Sequence, residues 1–259
     1  MTAGSLLLLA ALGGCAAPPA PPEVGQAEVE AARASIAAAP PAAVQARLPG
    51  TEAAMLAAVT RRVAAAAEPL CAAQLGRACG FEVRLDPSET ARAAADGRSR
   101  VSVSVGMVRL VEGEDELAAV VGHEFGHHLA GHLGRQVTRG AVAGTLASAV
   151  LGAVVPFGGL AGWALGQGAA EMGAYTARLV FSKQEEREAD YLGAYLVARA
   201  GYDLERSGRL WTRLARPGAP ATAGLLSSHP ADAERLALWR RTTEEIRISP
   251  DLVPRRAGS

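Results

Sequence analysis

Four of the chain's five histidines crowd into one stretch, VVGHEFGHHLAGH, residues 120–132. Within it, His123-Glu124-Phe125-Gly126-His127 has the form HExxH. On a helix turning about 100° per residue, His123 and His127 stand one turn apart on one face, so both imidazoles can reach one ion while Glu124 projects beside them. Zn²⁺ suits that pair, because it takes imidazole and carboxylate ligands tetrahedrally and keeps one position for water in catalytic sites. Glu124 is then placed to accept the proton of that water. His128 points about 100° away from His127, and His132 about 140° away, so both are expected to be silent. Position 133, where a third histidine of the extended motif would fall, is Leu. The third ligand must come from elsewhere.

The dense acidic cluster downstream is SKQEEREADYLGAYLVARAGYD, residues 182–203. Ser182 and Glu185 read as a capping box, and Gly201 ends the helix. Glu186 and Asp190 are one turn apart on a shared face. Glu186 would complete a two-His, one-Glu set, and Asp190 could accept the free imidazole N–H of His123 or His127. Residue types alone leave Glu185 as an alternative ligand, and a solvated charged face as another use of the same residues.

These residues need elements to hold them. Residues 113–134 form a helix: Glu114, Asp115 and Glu116 suit its N-terminal dipole, and Leu117, Val121, Phe125 and Leu129 give it a buried stripe. Residues 51–70 have helical propensity, with Pro69 marking the end. The alternation in FEVRLDP (81–87) and RVSVSVGM (100–107) predicts two half-buried strands, with a turn at Asp96-Gly97. Between the two acidic and histidine helices, residues 140–170 hold no charge. A single membrane pass there would separate Glu186 from the histidines, and two passes would be too short. The segment is expected as a helical hairpin that gates the cleft, dips into a membrane surface, or packs as plain core.

The start, MTAGSLLLLAALGGCAAPPAPP, reads as a targeting segment: a lipoprotein signal over 1–14 with Cys15 acylated, or an ordinary secretory signal. Residues 15–50 are rich in Ala and Pro and are expected to be a tether, with a short helix near 27–38. Export favours a Cys71–Cys79 disulfide over two buried free thiols. Lys+Arg and Asp+Glu are both 26, so no net field draws the chain to nucleic acid. Its 49% hydrophobic content supports one catalytic-size core.

Three motifs, DELAAVVGHEFGHHLAGH, SKQEEREAD and LLSSHPADAER, together resemble the HtpX-like and CaaX-protease-like family of zinc metallopeptidases over roughly residues 68–240. The resemblance implies Glu186 as the glutamate ligand and Asp190 behind a histidine; Lys183 stands where that family commonly has arginine. It also implies that His229 can approach the zinc as a latch and that Arg235 lies near the cleft. Either could contact the transition state, or His229 could simply cap the helix beginning after Pro230. The expected fold is α+β and zincin-like, mostly helical, with a small antiparallel sheet beside the HExxH helix. The domain would span 51–250, followed by a tail over 251–259.

The expected function, again by resemblance to the small exported members, is a zinc endopeptidase of the bacterial envelope that cleaves misfolded or misassembled envelope proteins. It would sit in the periplasm, lipid-anchored to the outer membrane, with substrate extended along RVSVSV. The rivals are an envelope chaperone or assembly factor using the same groove, and a structural metal-binding lipoprotein.

Overall fold

The structure, a computed structural model, describes residues 17–48, 50–95, 99–139, 142, 181–216, 229 and 231–258. The leader, Cys15, the Asp96-Gly97 turn, Pro230 and all but residue 142 of the apolar insert lie outside them. The described elements are α1 (Gln26–Ala38), α2 (Thr51–Leu75), β1 (Glu82–Asp86), β2 (Ala93–Ala95), β3 (Arg100–Ser104), α3 (Val105–Leu110) and α4 (Glu114–Leu129). Then come α5 (Lys183–Arg199), α6 (Leu204–Leu214) and α7 (Ala233–Arg247). The mostly helical α+β architecture is as expected. Among the described residues, no helix is long and apolar enough to cross a membrane.

The sheet has the order β1-β3-β2, with β1 parallel and β2 antiparallel to β3. It is therefore mixed rather than antiparallel throughout. After β1 the chain crosses to the far side of β3's position, runs back as β2, and reverses again, so β3 enters the middle in the direction of β1. This also corrects the expected substrate strand. Both backbone edges of β3 are occupied, which leaves the outer edges of β1 and β2 without a strand partner among the described residues. The run RVSVSVGM is strand only as far as Ser104, whose hydroxyl accepts the Met107 N–H at 3.0 Å and starts α3. A Cβ at Gly106 would stand 2.0 Å from the Glu89 carbonyl oxygen, so this corner tolerates only glycine.

α2 continues past Pro69 to Leu75 instead of ending there. Proline removes one backbone donor, but Leu70 and Cys71 beyond it are buried in the core, and a Cys71–Cys79 disulfide ties the last turn to the chain entering β1. Burial on both sides outweighs one lost bond. The tether is corrected too. In α1, Ala32 and Ile36, one turn apart, are buried in the core cluster together with Ala42, and Pro19 bridges to Arg256 in the tail. An apolar stripe at helical spacing makes this stretch part of the packed body rather than a free spacer.

α4 lies at the centre of that body, against α2, β2, β3, α5 and α6. Its contact with α5 is unusually close because glycines line it. A Cβ on Gly126 would lie 2.5 Å from the Ala189 carbonyl oxygen, and one on Gly193 3.0 Å from backbone atoms of Gly122 and His123. Side chains on the two helices can thus meet across a short gap.

Candidate metal centre

α4 supplies His123, Glu124 and His127, α5 supplies Glu186 and Asp190, and His229 approaches from just before α7. The Nε2 atoms of His123 and His127 face each other at 3.1 Å. Glu186 reaches between them, with Oε2 at 3.4 Å from His123 Nε2 and Oε1 at 3.5 Å from His127 Nε2. His229 Nδ1 is 3.2 Å from His123 Nε2 and 2.9 Å from Glu186 Oε1. One ligand atom from each of the four lies within 4.8 Å of the others, and all four residues are buried. Glu185 does not join them. Its carboxylate closes the expected capping box, accepting the Ser182 N–H at 2.9 Å, and pairs with Arg139 at 2.8 Å.

Each histidine is fixed from behind. His123 Nδ1 is 2.9 Å from Asp190 Oδ1, and Arg235 holds that carboxylate through Nε at 2.7 Å and Nη2 at 2.8 Å. Arg235 Nη1 also stands 2.8 Å from Glu186 Oε2, so the guanidinium is spent on two buried acids. Burial alone would raise the Glu186 and Asp190 carboxyls, but the Arg235 charge and His123 hold both below their ordinary values, Glu186 well below. Burial likewise pushes the His123 imidazole down, yet Glu186 and Asp190 outweigh it and raise it to about 9. Burial, with His123 and His229 as neighbours, leaves His127 well below its usual value.

Phe181 stacks on His127 with ring centroids 3.8 Å apart and planes at 26°. His132, expected to be silent, is fully buried, with Nδ1 2.7 Å from His127 Nδ1 and Nε2 3.0 Å from Glu188 Oε2. The projection of His132 by helical angle fails because Gly131 adopts φ +72° and breaks the helix first. His128, in contrast, meets the edge of Phe81 and stays away from the cluster. Phe181, His132 and Glu188 are the residues that sequence reasoning missed; the glycine before His132 was the available signal.

The donors fit a zinc ion. Two imidazole nitrogens bound tetrahedrally at about 2.0–2.1 Å stand roughly 3.3 Å apart, close to the spacing seen here. Both carboxylate oxygens of Glu124 are buried and make no hydrogen bond among the described residues, His229 Nε2 standing 3.5 Å from Oε1, a costly arrangement unless a water or another proton donor is held beside them. Zinc takes this set of imidazoles and one carboxylate.

Comparison with known proteins agrees. The profile of peptidase family M48 matches residues 52–243, most of the chain. The chain belongs to peptidase family M48. Two curated relatives are similar to this M48 chain. One is the mitochondrial metalloendopeptidase OMA1 of Arabidopsis thaliana, 40% identical over 67 residues, 26% of this chain and 14% of the relative. The other is the mitochondrial metalloendopeptidase OMA1 of Schizosaccharomyces pombe, 29% identical over 153 residues, 58% of this chain and 42% of the relative. The M48 chain spans less than half the length of either. These relatives overturn the expected location in a bacterial periplasm and outer membrane, since both are named as mitochondrial proteins. They give no support to an exported lipoprotein subgroup, a lipid anchor or envelope substrates.

Proposed function

We propose that this M48 chain is a zinc-dependent endopeptidase acting on misfolded or misassembled proteins. The observation that carries the reading is Glu124, a buried carboxylate that makes no hydrogen bond among the described residues and has only His229 Nε2 near it, 3.5 Å from Oε1, next to the converging donors of His123, His127 and Glu186. Bound zinc supplies a Lewis acid for the peptide carbonyl and makes water acidic enough to be deprotonated near neutral pH. Glu124 takes the proton from the attacking water and returns it to the leaving amine. Asp190 orients His123, and Arg235 keeps Asp190 and Glu186 charged, so Arg235 acts behind the ligands rather than on substrate.

Substrate is assigned to the outer edge of β2, the strand edge next to α4. Backbone pairing there would give binding with loose sequence preference, as a protease of unfolded chains needs. His229 is assigned the role of a latch, because its Nδ1 stands among the ligand atoms where a catalytic zinc keeps its open position.

An unfolded protein such as casein, incubated with wild type and variants, tests this. Glu124→Gln should lower cleavage by about 10²–10⁴-fold while retaining zinc, Glu186→Gln should lose zinc, and His229→Ala should cleave faster than wild type. If wild type and Glu124→Gln cleave equally, the mechanism is wrong. If zinc-loaded wild type and His229→Ala are both inert, a chaperone or a structural metal protein is the better account.

A further inference from the structure

We propose that His132 and Glu188 form a relay that fixes the imidazole of His127 for metal binding. The proposal rests on the zinc reading above. His127 turns Nε2 toward the donor cluster and Nδ1 away from it, and that Nδ1 lies 2.7 Å from His132 Nδ1. Two ring nitrogens this close must have one proton between them. An Nε2 that donates its lone pair to a metal is unprotonated, so the neutral His127 ring carries its proton on Nδ1 and gives it to His132. His132 Nδ1 is then the acceptor, and its own proton sits on Nε2, 3.0 Å from Glu188 Oε2. Every hydrogen in the chain has one place.

Glu188 is anchored in turn by the Gln184 amide at 3.0 Å and by Arg135 Nη2 at 3.4 Å. The relay therefore ends on a carboxylate, as the partner of a metal-binding histidine commonly does, but with one imidazole interposed. Three features of the chain make it possible. Gly131, at φ +72°, stops α4 and returns the backbone toward the centre. His132 and His127 are both fully buried, so no water competes for the shared hydrogen bond. Phe181 lies against the face of His127 and leaves rotation in the ring plane as the freedom that the relay removes. His132 touches the ligand His127 but neither it nor Glu188 is among the converging donors; they are positioning residues.

Zinc dissociation constants of the full chain, measured by competition with a chromophoric chelator, test the relay. Melting of the metal-free forms and ¹⁵N NMR of the zinc-loaded imidazoles accompany them. His132→Phe should weaken zinc about 10–100-fold and Glu188→Gln about tenfold. The double variant should be no weaker than His132→Phe, because a chain cut once carries nothing further. His132→Asn, whose side-chain carbonyl can accept from His127, should recover part of the loss. NMR should find His132 protonated on Nε2 alone.

Affinity within twofold of wild type in both single variants, an additive double variant, or a proton on His132 Nδ1 would each overturn the proposal. So would a loss confined to the melting temperature of the metal-free protein, which marks a packing role only. Should His132→Phe fail to fold, Glu188→Gln and the tautomer decide. Wild type that takes up no zinc defeats the zinc reading and the relay together; tight wild-type binding with unchanged variants defeats the relay alone.

Discussion

The two histidines of HExxH sit one turn apart on the same helix, yet the protein holds them in different ways. Behind His123 stands a dense cluster of buried charge, with Asp190 on the ring and Arg235 clamping Asp190 and Glu186 together. Behind His127 stands a second imidazole and then Glu188, whose arginine partner, Arg135, is half-exposed. The first support is strong and costly, since three charged groups leave water and depend on one another. The second ends on a buried carboxylate whose arginine is half in solvent, so solvent screens part of the pair, and orientation passes inward through a neutral ring. One helix face can thus be fixed by two kinds of chemistry.

The largest expected effect tests the costly side. Arg235→Met leaves the buried carboxylates of Glu186 and Asp190 without their cation, and the metal-free protein should lose about 3–5 kcal/mol of stability in denaturant melts. The same measurement on Arg135→Met should show a smaller loss, because the buried Glu185 and Glu188 with which it pairs keep Arg139, His132 and Gln184 as partners. Equal losses would erase the distinction between the supports.

A smaller effect compares the two carboxylates. Asp190→Asn, acting directly on a ligand, should weaken zinc by about 10–100-fold, and by more than Glu188→Gln does through the intervening ring. The reverse order would mean that His127 rather than His123 is the dominant anchor. The smallest effect lies outside both supports. Glu245, on α7, accepts from Tyr191 at 2.6 Å and Tyr195 at 2.8 Å on α5, and pairs with Arg255. Burial pushes its carboxyl up, but these hydrogen bonds outweigh it and hold the group below its ordinary value. A depressed carboxyl contributes stability above its unfolded pKa of about 4.3 and loses it as pH falls through the folded value. Glu245→Gln should therefore cost about 1–2 kcal/mol at pH 7 and converge on wild type in melts as pH falls through the lowered folded value. A zinc affinity altered as much as in Asp190→Asn would show that the supports are not local.

Much of the centre was legible because it is written at helical period. His123 and His127, or Glu186 and Asp190, share a face by spacing alone, whereas Glu185 stayed an alternative ligand until the structure placed its carboxylate on Ser182 and Arg139. His132 was misread because the angular argument assumes an unbroken helix, and one left-handed residue cancels it. RVSVSV had the alternation of a strand but carries no information on which strands flank it, so its central place in the sheet could not be seen. Pro69 was read as a stop because its local cost is plain in sequence, whereas the burial of Leu70 and Cys71 that offsets it is not.

The sequence by itself marked out His123, His127 and Glu124 as candidates and, through its resemblance, the family and Glu186, because those depend on residue type and on distances of a few positions. Only the tertiary structure decided how His132 and Glu188 reach His127, and how Arg235, His229 and Phe181 enclose the centre. Apart from His127 and His132, five positions apart and turned together at Gly131, those contacts join residues far apart in the chain. They exist because glycines at 122, 126 and 193 let two helix backbones approach closely enough for short side chains to meet.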